Sequence, residues 1–164
     1  KTTSKESRTD GRGAIEPIMI DFDNFECVKL EDVAEFGRAK AGYIYPAGTS
    51  TIQISATKGQ IDFLEYPREV PTKEVVIIPQ NGIEPKYFNL ILQRNVDKFI
   101  AKYATGINIQ EKEIGNFPIE LFNRETQKAF VRMMDHITDE IATAENELTI
   151  YKEMKKAFLG DLML

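Results

Sequence analysis

This 164-residue chain has one histidine and one cysteine beside a scatter of carboxylates. Nucleophilic or acid-base chemistry needs a base held against a nucleophile. His136 lies off the apolar face of a long C-terminal helical stretch and reads as a solvated surface group. Cys27, between Glu26 and Val28 with no histidine near it in sequence, reads as a partly buried inert thiol. With these counts a Cys/His zinc cluster and an intramolecular disulfide are both excluded. The glycines form neither a phosphate-cradling loop followed by Lys and Ser/Thr nor a dinucleotide fingerprint. No Asn-Pro-Pro-aromatic motif is present. Asp62 with Glu84-Pro85-Lys86 echoes the acidic residue and Glu-x-Lys of metal-dependent nucleases, but Pro85 breaks the strand that motif needs. Glu31-Asp32 and Asp139-Glu140 read as solvated helix faces. No catalytic group, metal or cofactor is expected.

Side chains suited to base edges are more plentiful. Arg38, Lys40, Tyr43, Gln53, Thr57, Lys58 and Gln60 fall in a stretch with no acidic residue between Glu35 and Asp62, in a chain of 21 basic and 26 acidic residues and net charge -5. An acidic chain that holds phosphate must do so through a local basic surface. Arg and Lys match guanine O6 and N7, Gln matches adenine N6 and N7, and a Thr methyl suits thymine. Thr105 and Asn108, in the polar loop that runs to Gln110, form a second candidate contact. A plain polar sheet face accounts for the same residues.

The elements that must position these groups are legible in the patterning. Lys1 to Gly13 has no apolar residue, and residues 1–21 are read as an N-terminal arm. Because the chain opens on Lys1 rather than Met, it is expected to begin inside a longer reading frame. Residues 22–123 read as an α+β domain built on a small mixed sheet. Glu31 to Phe36 suits a short helix closed by Gly37. Thr51 to Ser55 alternates strictly, which predicts a half-buried strand with Thr51, Gln53 and Ser55 facing solvent. Ile61 to Tyr66 suits a second strand and Val75 to Ile78 a fully buried one. From Pro85 to about Ala104, Phe88, Ile91, Leu92, Val96, Phe99, Ile100 and Tyr103 keep one helical face.

Residues 124–164 differ in kind. From Arg124 to Leu159 there is neither Pro nor Gly for 36 residues, a helix of roughly 54 Å at 1.5 Å per residue. Met134, Ile137, Ile141, Ala144, Leu148, Tyr151 and Phe158 fall on a heptad seam that only Lys155 interrupts. The domain is too small to cover such a rod, so a coiled-coil partner is expected, and the chain holds only one helix of this length. No apolar run approaches the roughly 18 residues of a membrane helix, and one unpaired cysteine suits a reducing cytoplasm.

The order of these features resembles one half of the specificity subunit of type I restriction-modification systems, a target recognition domain followed by a spacer helix. Cys27-Val-Lys-Leu-Glu-Asp-Val-Ala-Glu-Phe36 is similar to the family's opening segment, and Tyr45-Pro-Ala-Gly-Thr49 with Ile54-Ser-Ala-Thr-Lys-Gly-Gln-Ile61 resembles one branch of its recognition domains. Pro85-Lys-Tyr-Phe88 through Tyr103-Ala-Thr-Gly106, then Ile114 to Ile119 and Glu125-Thr-Gln127, resembles the closing helix, the Thr-Gly loop and the lead into the spacer. Tyr151 to Leu159 is close to the usual helix ending. Leu121-Phe-Asn-Arg124 stands where the family has a diprolyl turn.

The resemblance implies a non-catalytic chain that reads one part of a bipartite double-stranded DNA target. It would position modification subunits, which methylate adenine with S-adenosylmethionine, and through them a restriction subunit. A full specificity subunit has two recognition domains and two antiparallel spacer helices, so a half-size form implies a homodimer. A second reading, suited to the acidic balance, is a protein-interaction module or inhibitor that displaces a specificity subunit without reading DNA.

Overall fold

The computed structural model describes residues 19–55 and 59–161. In chain order its elements are β1 (Glu26–Lys29), α1 (Leu30–Val33), β2 (Ala34–Arg38), β3 (Ile44–Tyr45), β4 (Ser50–Gln53), β5 (Ile61–Phe63), β6 (Arg68–Glu69), β7 (Glu74–Pro79), α2 (Pro85–Tyr103), a 3-10 turn (Glu111–Asn116), β8 (Pro118–Leu121) and α3 (Arg124–Asp161). The α+β class with a long terminal helix is as expected. The sheet resolves into a four-stranded β2-β7-β4-β5 and two ribbons, β1-β8 and β3-β6, and every pairing is antiparallel.

The Val75-Val76-Ile77-Ile78 run makes β7 an interior strand because it is apolar on both faces. Val75 and Ile77 face a core closed by Phe88, Ile91, Leu92, Val96 and Phe99 of α2. Val76 faces a smaller cluster of Ala39, Tyr45, Leu64 and Val70. Two buried amides of α2 tie it to the strands: Asn89 donates to Ser50 Oγ (3.0 Å) and to the Asp62 carbonyl (3.1 Å), and Asn95 to the Pro118 carbonyl (3.1 Å).

Two expectations change. Of Glu31 to Phe36, only Glu31 to Val33 is helical, because Ala34 to Arg38 pairs along β7 and sets Phe36 opposite Ile77; tertiary pairing overrides the local helix preference. Thr51, expected on the solvent side of β4, is buried and donates to Glu74 Oε2 at 2.7 Å. The second cluster covers the face that a two-layer domain would have left wet.

The start of α3 is anchored to the domain. Asn123 Oδ1 accepts the Thr126 N–H (2.9 Å), so the run Leu121 to Arg124 ends a strand and caps the helix. Gln127, buried, donates to the Phe122 carbonyl (2.7 Å) and accepts the Glu84 N–H (2.9 Å). Phe130 meets the rings of Phe22, Tyr87 and Phe122. Of the expected arm, residues 19–21 lie against this base: Asp21 N–H donates to Thr126 Oγ1 (2.9 Å) and Asn123 Nδ2 to the Met19 carbonyl (3.4 Å). Residues 1–18 lie outside the described residues. Every residue from Arg132 to Asp161 is exposed. Asp135 lies 3.8 Å from Lys86 Nζ of α2, and beyond it the helix leaves the domain. Its 38 residues span roughly 57 Å.

Candidate nucleic-acid interface

Of the nine residues expected to contact DNA, Arg38, Gln53, Gln60, Thr105 and Asn108 lie at one end of the four-stranded sheet. Arg38, Val75, Ile52 and Ile61 form one row across it, and Glu74 pairs with Gln53 in the next. Gln60 immediately precedes β5 and lines a polar recess with Thr51, Gln53, Asp62 and Glu74. Thr105 and Asn108 bond to each other through their backbones across a turn that Gly106 makes at φ 65°. The adjoining Ile109 N–H donates to the Ile54 carbonyl (2.9 Å), which fastens this loop to the end of β4. Thr57 and Lys58 lie outside the described residues.

They do not share one face. Residues opposite one another across a sheet point to the same side. Arg38 therefore stands on the α2 side with Val75 and Ile52, whereas Gln53 stands on the other with Glu74 and Thr51. The acid-free interval in the sequence is not acid-free in space. Glu111 accepts the Arg38 N–H (3.2 Å) and lies 3.9 Å from its Nε, and Glu74 and Asp62 border Gln53 and Gln60. With both side chains about half exposed, the Arg38–Glu111 pair is a weak one.

Lys40 and Tyr43 line a recess with Arg38, Glu35 and Tyr45, and lead from it onto a second surface. The Lys40 N–H donates to the Tyr45 hydroxyl (3.0 Å), and the Tyr43 ring lies 4.7 Å from that of Tyr45. Tyr45 pairs with Arg68 across the β3-β6 ribbon, and Ala39 N–H donates to Glu74 O beside Lys73. Lys40, Arg68 and Lys73 thus border one ribbon and make no ion pair among the described residues. Tyr43, Ile44 and Tyr66 project from it at 54%, 63% and 79% exposure. Sequence reading missed Tyr66, Arg68 and Lys73, which lie about 25 residues or more from Lys40 with acidic residues between; only the pairing of two-residue strands joins them.

The seam residues lie where expected, along one stripe of α3. Met134, Ile137, Ile141, Leu148, Tyr151 and Phe158 are 39–67% exposed. His136 is exposed. Cys27 is exposed rather than partly buried, because β1 is an edge strand paired only with β8. Among the described residues no cluster of His, Cys, Asp and Glu is arranged to hold a metal, and no helix is long and apolar enough to cross a membrane.

No protein-family model and no curated protein matches the chain. Its fold is similar to that of solved structures. The HsdS subunit of Thermoanaerobacter tengcongensis aligns over 79% of this chain and 41% of its own, with TM-score 0.58 and 15% identity. The type I restriction-modification S subunit of M. genitalium aligns over 80% and 44%, with TM-score 0.55 and 17% identity. A chain from a structure addressing complex assembly and conformational transition of the type I R-M system aligns over 78% and 42%, with TM-score 0.60 and 14% identity. At these identities the likeness is one of fold, and the chain spans about two fifths of the length of the chains it matches. A small sheet domain with one long helix leaving its base is therefore the fold of half of a type I restriction-modification S subunit, and this chain has that fold.

Proposed function

We propose that this chain is a DNA-specificity element of a type I restriction-modification complex. Its domain, residues 22–123, reads one half of a bipartite duplex target. The helix α3 pairs as an antiparallel coiled coil with that of a second copy and sets the distance between two readers. Modification subunits assemble on this frame and carry out the methylation, a restriction subunit joins through them, and the chain itself supplies no catalytic group. The observation that carries the reading is the contrast within α3: anchored by buried Thr126, Gln127 and Ala129, then exposed from Arg132 onward while keeping an apolar stripe. A stripe of that length is built to be covered.

The proposed contacts to DNA are Arg38, Lys40, Tyr43, Gln53, Thr57, Lys58, Gln60, Thr105 and Asn108, joined by Tyr66, Arg68 and Lys73. The ribbon carries the strongest part, since a two-stranded β-ribbon fits the major groove and its cations make no ion pair among the described residues. Duplex binding by the complex with its modification subunit, measured across salt concentrations, tests this. Replacing Lys40, Arg68 and Lys73 with Ala should flatten the slope of log K against log salt by about 0.9 for each phosphate that the protein no longer neutralises. An unchanged slope and affinity would remove the ribbon from the interface.

The acids around Gln53 and Gln60 favour the second reading, a module that occupies a specificity subunit's place without touching DNA. That reading requires displacement of a specificity subunit from its complex and no salt-dependent duplex binding.

A further inference from the structure

Where α3 parts from α2 the two helices enclose a crevice of about 430 Å³, walled by Tyr87, Leu90, Ile91 and Arg94 of α2 and by Phe130 and Met134 of α3. Met134 is also the first residue of the bare seam, so the stripe runs into the crevice without a break. We propose that the crevice is the seat for Phe158 of a second copy of this chain, so that each copy's helix end completes the other copy's domain. The inference rests on the self-pairing proposed above and fixes its register.

Three observations point the same way. The first is spacing. In an antiparallel coil the alternating seam positions face one another in unlike pairs. Setting Phe158 opposite Met134 also sets Tyr151 opposite Ile141 and Leu148 opposite Ala144, with the two-fold axis beside Asn146. Every apolar seam position except Ile137 then meets an apolar partner.

The second is charge. From Met134 to Glu147 the helix carries Asp135, Asp139, Glu140, Glu145 and Glu147 and no Lys or Arg, whereas Leu148 to Phe158 carries Lys152, Lys155 and Lys156 with one acid, Glu153. A parallel pair would set five acids against five. The antiparallel register brings the three lysines to Asp139 and Glu140, and beside Asp135, which already lies 3.8 Å from Lys86 of its own chain. It also accounts for the one polar seam position: Lys155 falls opposite Ile137, where its stem covers the isoleucine and its ammonium reaches the flanking acids.

The third is where the uncovered apolar surface lies. Large exposed side chains run the whole length of the stripe, from Met133, Met134 and Ile137 through Ile141 and Leu148 to Ile150, Tyr151, Met154, Phe158 and Leu159. An antiparallel pair in this register covers it from Met134 to Phe158. As a knob, Phe158 is 67% exposed among the described residues, and the crevice, floored by buried Tyr87 and Ile91, is a hole of the matching kind.

Paired cysteines test the register. In the full chain with Cys27→Ser, one preparation carries Met134→Cys and another Phe158→Cys; both positions are exposed, so the domain fold is left alone. On mild oxidation the mixture should give a disulfide-linked species of roughly 37 kDa, twice the 18.7 kDa chain, while neither preparation links by itself. Phe158→Ala should weaken dimerisation by about tenfold or more for the two knobs removed. Self-linking by Met134→Cys alone would mean a parallel pair and overturn the seat. A chain of dimeric native mass with no link in the mixture would overturn the seat and leave the pairing standing. A native mass of one chain would overturn both, and DNA binding by the complex is read separately from all three.

Discussion

Leu148→Asp places a carboxylate two residues from the proposed two-fold axis, so a single substitution acts twice. Leu148 is 52% exposed in the free chain, and covering a half-exposed leucine contributes about 1 kcal/mol at ~25 cal/mol per Å². Both copies together lose about 2 kcal/mol of burial, and each dehydrated, unpaired carboxylate costs a further 1–3 kcal/mol or so. The total, about 4–8 kcal/mol, weakens the dimer by roughly a thousandfold or more. Light scattering or sedimentation should then report a particle of 18.7 kDa at concentrations where the unaltered chain is twice that mass. The domain provides an internal control, because Leu148 touches none of it and its tyrosine signals should be unchanged. A second readout comes from the helix: some 30 solvated residues with no partner are only marginally helical, so the far-UV helical signal should fall with the mass. A Leu148→Asp chain that keeps its dimeric mass at micromolar concentration would refute the assignment of this stripe to self-pairing.

Inserting one heptad into α3 after Ala144 keeps the seam in phase and lengthens the rod by roughly 10 Å, about three base pairs of duplex. Methylation mapping should show the unread spacer of the target lengthened by that amount with both half-sites, identical and inverted, unaltered; an unchanged spacer or an asymmetric target would refute a symmetric ruler. Burial of Tyr87, whose hydroxyl donates to the Glu120 carbonyl, pushes its phenol well above the ordinary value of 10.0. The unfolded chain releases this proton near pH 10 while the folded chain keeps it, so stability is whole below pH 10 and falls as pH rises beyond it. Tyr87→Phe should flatten that alkaline part of a denaturation midpoint against pH, and an identical alkaline profile would show that Tyr87 does not carry it.

What the sequence made legible follows the range of the interactions concerned. α2 and α3 are long and periodic, and their faces could be read residue by residue; Phe88, Ile91, Leu92, Val96 and Phe99 are all buried. Short elements gave way to their partners. Phe36 reads as helical beside Glu35 and is a strand residue because Ile77 lies across from it, and Thr51 reads as solvated and is buried because Leu64, Val70 and Tyr45 build a second layer over β4. The candidate site shows the same limit in its charges. A window without acids was visible along the chain, but Glu111 and Glu74 approach it through the fold from far along the sequence, and Arg68 and Lys73 join Lys40 by the same route.

The pairing of β1 with β8 brings the two ends of the domain side by side at the foot of the helix. A module whose ends share one clasp can be exchanged without disturbing what lies outside it. Not all of the interior is equally free: α2 meets α3 through Tyr87, Leu90 and Met134, and β7 is the floor on which it rests. Between Arg38 and Lys73, β4 and β5 are tied into the core through Ile52, Ile54 and the Asn89 bonds to Ser50 and Asp62, so the part that can vary at little cost is the set of exposed side chains around the β3-β6 ribbon, Tyr43, Ile44, Tyr66 and Arg68. On the proposed reading, new target preferences would arise by replacing those side chains, while the spacing between readers would be inherited separately, in the number of heptads along α3.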